Sequence, residues 1–562
     1  MRERLRDPRT YIVGAAILIV AYLVLVPLIY LFRDTFTGRS GLSFAAFSRA
    51  YGGDTQAGRM LFNSLAFSAG SAALSLVVGT VLAYVQVRTD APFKGLFFAA
   101  SLVPLVIPGI LYAVSWIFLA DPNVGLLNTL ALEPLTGQSL NVFGMGGMIW
   151  VQGLHYAPVA FLLMVAAFRA IDPSLEESAL MSGARQLTVI RRVTVPVLRP
   201  AFVAAVLLLF VQSLESFEVP ALLGLQNGTY VFTSRIYLSL QSYPIDYGTA
   251  GAYAITLLAI ATAGVLMGSR LTRRSSDFQT ITGKAFRPRP VALGRARPWV
   301  GAGVLAYFVV AVVLPVAVLI YASLLKFYAK PSARTFDTIS LGNYRAIFEN
   351  DTTITAFKNS LILGLGAAAV VMLLTSVIAW TVVRTRARGR AALDLLTFIP
   401  IVIPGLVIGL ALSFVYLRSS LPIYGTLLIL LIAYTTKFLP YGMRYASGAM
   451  AQMSSELEES AMVSGASWLQ TFRRVLLPLA SSGILVGFVY ILIVSFRELS
   501  SAILLYSPGK EVVSVLLWEQ FENGKLTTVA AIGVVMIAIL TALVAIAYKL
   551  GARFGLESTD DR

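Results

Sequence analysis

The chain has 562 residues, 57% of them apolar and only 13% charged, against about 25% charged in an average soluble domain. That excludes a soluble globular protein, and the lack of any cysteine excludes disulfides, thiolate metal sites and thiol catalysis. The net charge of +16 suits nucleic acid in principle, but its distribution follows the positive-inside rule instead, so no nucleic-acid partner is expected.

The chain opens with Arg2, Arg4, Arg6 and Arg9 before an apolar run. The run is too long for a signal peptide and no small-x-small cleavage site follows, so it reads as an uncleaved first span. A crossing helix needs roughly 20 apolar residues. Runs of that length fall at 11–32, 62–87, 95–119, 143–168, 200–224, 248–269, 299–325, 359–383, 392–417, 422–443, 480–505 and 527–548. Continuous runs exclude a transmembrane barrel, whose strands alternate. With the N-terminus inside, the inner segments hold 29 Lys and Arg and the outer loops 13. Both termini are therefore expected in the cytoplasm of a multi-pass protein whose solvent is the lipid bilayer.

The spans repeat. Asn63-Ser64-Leu65 matches Asn359-Ser360-Leu361, Val87-Arg88-Thr89 matches Val383-Arg384-Thr385, and Val106-Ile107-Pro108-Gly109 matches Val402-Ile403-Pro404-Gly405, all at an offset of 296. Further on, Leu175-Glu176-Glu177-Ser178-Ala179 matches Leu457-Glu458-Glu459-Ser460-Ala461 at 282. The first half thus carries 14 extra residues, assigned to the outward stretch Asp121 to Phe143. Six spans per half make a parallel repeat about an axis along the membrane normal. The reading is an all-α transmembrane fold of 12 helices in two pseudo-two-fold halves, 1–270 and 299–562, joined by a cytoplasmic linker at 271–298 that is rich in Arg and contains Pro288, Pro290 and Pro298. The longest loop, around 326–358, is too short for a folded domain. Gly283-Lys284, Gly509-Lys510 and Gly524-Lys525 all lack the phosphate-loop pattern, so ATP is not expected to bind this chain by that route.

The two matched segments are polar islands between spans. Asp172 before Pro173, and Ser454 in the second copy, are N-cap signals. Gly183 and Gly465 break the first short helix. A second short helix follows, with Arg191-Arg192 or Arg473-Arg474 near its end, and Pro196 or Pro478 is expected to stop it before the next span.

The spacing E-S-A-x-x-x-G-x9-V-x-V-P, and V-x-L-P in the second copy, resembles the E-A-A-x-x-x-G-x9-I-x-L-P signature of permease subunits of binding-protein-dependent ABC importers. Ser178 and Ser460 replace an Ala, Val193 and Val475 replace Ile, and Val195 replaces Leu. The resemblance implies that these helices couple the permease to ATPase subunits, through Glu177, Ala179, Gly183 and Pro196 in one half and Glu459, Ala461, Gly465 and Pro478 in the other. It implies two copies of a cytoplasmic ABC ATPase carrying ATP-Mg, an extracytoplasmic substrate-binding protein, and a place in a bacterial inner membrane. The fused pair is similar to the ferric-iron permeases, a group close to thiamine, polyamine and phosphonate permeases, on Phe496-Arg497-Glu498-Leu499-Ser500-Ser501 and Glu215-Ser216-Phe217-Glu218-Val219-Pro220. Ferric iron is the passenger that this implies. A secondary transporter of two six-span halves is the alternative of another class; it gives no reason for a doubled island.

Ionisable residues inside spans default to functional roles. Glu215 and Glu218 fall in the fifth expected span, Arg497 and Glu498 in the eleventh. Glu215 and Arg497 match at 282, which places them near one another across the axis as pathway or gate. Three carboxylates against one guanidinium favour a cationic passenger. His155, the only histidine, reads as a packed helix residue, and Lys437 as a side chain snorkelling to an interface. Pro104 and Pro108, with Pro400 and Pro404, are expected to kink the third and ninth spans. No resident metal site and no catalytic array is expected, so the chain is not read as an enzyme.

Overall fold

The computed structural model describes residues 8–38, 41–52, 55–273, 290–385 and 387–553. Residues 274–289, most of the expected linker, lie outside that set. The first half is built from α1 (Pro8–Phe36), α2 (Thr55–Arg88), α3 (Lys94–Leu105), α4 (Gly109–Ala120), α5 (Met145–Ala170), α6 (Pro173–Met181), α7 (Gln186–Glu215), α8 (Phe232–Gln241) and α9 (Tyr247–Arg273). The second repeats it with α10 (Gly294–Ser323), α11 (Asp351–Arg384), α12 (Arg390–Val402), α13 (Gly405–Tyr416), α14 (Leu427–Ala451), α15 (Ser455–Val463), α16 (Trp468–Phe496), α17 (Val513–Glu522) and α18 (Leu526–Arg553).

Among the described residues nine helices are long and apolar enough to cross a membrane, and counting each bent pair as one span gives eleven. The expected count of 12 is not reached on length and composition. The segment that misses is α14, which is long enough at 25 residues but carries Lys437 and Arg444.

The prolines of the third and ninth segments do more than kink them. The chain turns by 99° between α3 and α4 and by 109° between α12 and α13. Pro108 and Pro404 have extended ψ of 143°, so neither helix continues through them. Each bent pair still carries the chain from one end of the bundle to the other. Arg88 at the end of α2 donates to the carbonyl of Phe168 at the end of α5, 3.1 Å. Arg384 does the same to Met450 at the end of α14, 2.7 Å. α2 and α5 therefore finish side by side, and so do α11 and α14, which requires a return crossing between them.

The halves interlock. α1 packs on α13 of the other half, with Tyr22 Oη 2.9 Å from Tyr416 Oη and Arg418 2.9 Å from the buried Asp34. α10 packs on α4, where Tyr112 Oη donates to the Ala311 carbonyl at 3.1 Å. The fourteen-residue difference is where the spacing put it: 24 residues separate Ala120 from Met145 and 10 separate Tyr416 from Leu427. The insertion forms its own turn, tied by Asn128, whose amide donates to the carbonyls of Asp121 and Leu140 at 2.9 and 2.8 Å.

Candidate functional site: a charged cavity between two coupling surfaces

The two polar islands lie at the end of the bundle where α2, α5, α11 and α14 finish. In each, the N-cap side chain does what its type predicts: Asp172 accepts from Ser174 N at 2.9 Å and Ser454 from Glu456 N at 3.2 Å. α6 and α15 end in the same left-handed cap. Gly183 has φ +83° and Gly465 φ +82°. Gly183 N donates to Leu180 O and Ala184 N to Ala179 O, while Gly465 N donates to Met462 O and Ala466 N to Ala461 O, all between 2.9 and 3.1 Å. This double bond pattern satisfies carbonyls that a helix end otherwise leaves open. It gives Ala179 and Ala461 a backbone role in the turn.

Glu177 and Glu459 point to solvent. So do four apolar pairs matched across the repeat: Leu175 and Leu457, Leu180 and Met462, Met181 and Val463 at 90% exposure each, and Leu187 and Leu469. Pro196 and Pro478 depart from expectation. The second short helix does not stop at them but runs on as α7 or α16. A π-helical turn precedes each proline, with Val195 N bonded to Ile190 O and Leu477 N to Phe472 O. The wider turn passes the missing N–H without ending the helix. The islands differ in their anchors. Glu176 is held by Arg88 at 3.4 Å and by Thr194 Oγ1 at 2.7 Å. Glu458 has no such partner among the described residues, and Trp468 packs instead on Trp380, ring centres 4.6 Å apart.

Between the halves lies a cavity of about 540 Å³. Its charged level is set by early helix ends. α7 stops at Glu215 and α16 at Phe496, so Glu218, Arg497 and Glu498 lie beyond the helices that the sequence placed them in. The breaks at Pro108 and Pro404 expose helix ends at this level. The Glu218 carboxylate sits against Gly109, the first residue of α4, where an added Cβ would collide with it. A Cβ on Gly405 would lie 2.7 Å from Lys437 Nζ and 3.1 Å from Glu498 Oε1. Both carboxylates face the positive end of a helix dipole. Arg497 caps the opposite kind of end, donating to the carbonyl of Leu105 where α3 finishes.

The pairing differs from expectation. Glu215 and Arg497 line the same cavity but form no ion pair. Lys437 does not snorkel to an interface: its Nζ donates to Glu498 Oε2 at 2.7 Å, and Ser501 N and Oγ hold the other oxygen at 3.0 Å each. With Lys437 and Arg444 also on the wall, three cationic side chains balance three carboxylates. The simple count that favoured a cation therefore no longer does so. His155 packs between Tyr112 and Tyr156, at ring distances of 5.2 and 5.5 Å, and also reaches the cavity.

The cavity extends toward the islands. Val159 and Leu162 on α5, Leu208 on α7, Tyr441 and Arg444 on α14 and Tyr490 on α16 line it, each nearer the island end than the charged level is. Beyond the charged level, on the side away from the islands, stands an aromatic cluster that sequence reasoning missed. Phe217, Tyr237 and Trp518 meet at ring distances of 5.1 to 5.5 Å. Trp518 Nε1 donates to Tyr237 Oη at 3.1 Å, and Tyr237 Oη to Glu522 at 3.0 Å. The signal that was available is positional, since α8 and α17 fall at matching places in the repeat.

The family model described as binding-protein-dependent transport system inner membrane component matches residues 75–274 and 379–554. The ferric transport system permease protein FbpB of Actinobacillus pleuropneumoniae is 24% identical over 546 residues, covering 95% of this chain and 77% of that one. A putative ferric transport permease, FbpB 1 of Haemophilus influenzae, is 26% identical over 467 residues, 81% and 72% of the two chains. A putative 2-aminoethylphosphonate permease, PhnV of Salmonella typhimurium, is 27% identical over 267 residues, 47% of this chain and 97% of that one.

Proposed function

The chain belongs to the inner membrane components of binding-protein-dependent transport systems, as both its halves match that family, and we propose that it is the importer permease that passes ferric iron, driven by ATPases docked on α6 and α15. The observation that carries the coupling role is the doubled surface: two left-handed glycine caps and four matched pairs of exposed apolar residues at one end of the bundle. One such surface has many uses; two equal ones fit two copies of one partner. Glu177 and Glu459 are free to meet basic groups there, while Glu176 is spent on holding α6 to Arg88.

ATP-Mg then resides on the partner subunits, and this chain is a non-enzymatic translocation component. The arrangement is an alternating-access state open toward the islands and shut at Phe217, Tyr237 and Trp518. With the islands and both termini in the cytoplasm, as the basic residues favour, the inserted 121–144 segment belongs to the face that receives a substrate-binding protein. Two ferric permease relatives spanning most of this chain support iron as passenger. The phosphonate relative covers only half of it.

The test is uptake of radioactive ferric iron by cells that lack their own ferric importers and express this chain with its neighbouring ATPase and binding protein. ATP-dependent uptake that disappears without the ATPase is expected. Absence of iron uptake, with uptake of another ligand of the same binding protein, removes the iron assignment and leaves the importer.

A further inference from the structure

Two of the repeated motifs fall on one pair of helices. Asn63-Ser64 and Asn359-Ser360 stand toward one end of α2 and α11, and Arg88 and Arg384 close the other. In both helices the serine and the arginine lie 24 positions apart, roughly 36 Å of α-helix. Neither helix contains a proline, although α5 and α14 beside them hold Pro158 and Pro440. The packing between them is close. A Cβ on Gly79 of α2 would lie 2.5 Å from Ala160 Cβ on α5, and one on Gly442 of α14 would lie 2.5 Å from Val371 Cγ1 on α11. α2 and α11 are long rods without a proline break, each seated on a helix that lines the cavity.

The rod ends away from the islands hold α8 and α17. These helices start after Val231 and Val512, whose side chains have no oxygen to cap a helix. The cap comes from the rods instead. Ser64 Oγ accepts from Phe232 N at 3.1 Å, and Ser360 Oγ from Val513 N at 2.8 Å. Asn63 Nδ2 donates to Tyr230 O at 3.1 Å, and Asn359 Nδ2 to Glu511 O at 3.0 Å. The partners match at an offset of 281, and so do Tyr237 and Trp518, which bond to each other beside Phe217. Each half thus supplies one aromatic side chain from the same point of the repeat. At the island ends, Arg88 holds Phe168 O and Glu176 of α6. Arg384 holds the carbonyls of Met450 and Met453, the latter one residue before the Ser454 cap of α15.

We propose that Asn63, Ser64, Asn359 and Ser360 are positioning residues for transport: through them α2 and α11 carry a displacement of α6 and α15 to the Tyr237–Trp518 contact, which parts when the ATPases close. A helix of ten residues such as α8 or α17 is marginal by itself, so its place is set by what holds its start. Phe232 and Val513 are buried, and a buried N–H without an acceptor is costly. The start of each short helix therefore follows its serine when the rod moves. The same two junctions, one at each end of one rod, occur in both halves. The drive from α6 and α15 rests on the ATPase-docking reading; the hold of the four residues on the aromatic cluster does not.

The experiment uses the complete transporter, with its ATPase and binding protein, in proteoliposomes, and Phe217→Cys as the only thiol of this chain. An impermeant maleimide is applied from the side away from the islands, without nucleotide and after vanadate trapping. Trapping should speed the labelling of this parent. Ser64→Ala with Ser360→Ala should speed the nucleotide-free labelling by about tenfold, the effect of a buried N–H left unpaired, and flatten the response to trapping. Asn63→Leu with Asn359→Leu should act in the same direction. Ser68→Ala is the comparison: its hydroxyl donates to the Ser64 carbonyl within α2, and its labelling should equal that of the parent. In the chain without the cysteine, the double Ala variant should lose severalfold of the stimulation of ATP hydrolysis by the binding protein while basal hydrolysis persists, a split that misfolding does not produce. Labelling and stimulation unchanged in both double variants, or changed as much by Ser68→Ala, overturns the proposal. An ATPase that does not associate with the unsubstituted chain retires the docking reading instead, and the nucleotide-free labelling then decides the role of the four residues.

Discussion

Lys437 Nζ rests 2.7 Å from Glu498 Oε2, deep between the two halves and beside the first residue of α13. A charge pair in such a place is expensive to form and more expensive to break. Lys437→Met alone strands a carboxylate and should cost about 3–5 kcal/mol. Lys437→Met with Glu498→Leu should recover most of that loss. Thermal unfolding of the purified transporter in detergent measures both, and equal loss in the single and double variants contradicts the pair.

Gly183 and Gly465 have open space where a side chain would go, so a clash is not what reserves them for glycine. Their φ values are. Alanine at either position should cost about 1–2 kcal/mol of local stability and fray the cap whose carbonyl partners are Ala179 and Ala461. Each single change is expected to lower ATPase co-purification, and the pair to abolish it. Retention of the ATPase with coupled transport in the double variant contradicts the docking assignment.

The two islands should respond unequally. Glu176 is fixed by Arg88 and Thr194, while Glu458 has no such anchor among the described residues. Glu176→Gln should weaken transport severalfold more than Glu458→Gln, at similar expression. Measured uptake rates of the two variants decide this, and equal effects refute the anchor.

Tyr237 Oη both accepts from Trp518 and donates to Glu522. Tyr237→Phe leaves the buried indole N–H without an acceptor, at a cost of about 1–3 kcal/mol, and should loosen the seal over Phe217. Since the chain has no cysteine, Phe217→Cys gives a single reporter. Its labelling by an impermeant maleimide from the side away from the islands should speed up when Tyr237→Phe is added. An unchanged rate argues that the seal lies elsewhere.

Asp246 joins the turn after α8 to the 45–51 helix through Arg49, 3.3 Å away. Partial burial opposes its charge, but hydrogen bonds from Thr249 and the Arg49 guanidinium outweigh that and hold its carboxyl below the usual carboxylate range. A depressed folded value stabilises above the unfolded value, about 3.9, and the contribution disappears as pH falls through the folded one. Amide exchange of the 246–250 turn should therefore accelerate below about pH 4. In Asp246→Asn this acid dependence should be absent.

Much of this was legible because it rests on period and spacing. The repeat, the insertion between Asp121 and Phe143, the N-caps at Asp172 and Ser454 and the glycine turns need only local chemistry, and they are found as read. What was not legible depends on where helices end inside the membrane. Apolar runs continue past Glu215 and Phe496, so the runs alone extend the spans to 224 and 505, and nothing in them reveals that the carboxylates sit on the exposed ends of α4 and α13. The Lys437–Glu498 pair joins residues 61 apart and becomes visible only once α14 and α16 are packed. Pro196 and Pro478 misled for a local reason: a π-helical turn absorbs a proline that an α-helical one does not.

The crossed packing of first helices sets a schedule for biosynthesis. Tyr22 finds its partner Tyr416 only after 394 further residues have been added. At roughly 5–20 residues per second, α1 waits in lipid for about twenty seconds to more than a minute before the surface it belongs on exists. Neither half can complete itself from its own sequence while the ribosome is still on the other. A single continuous message keeps the waiting helix within reach of the partner it was made for.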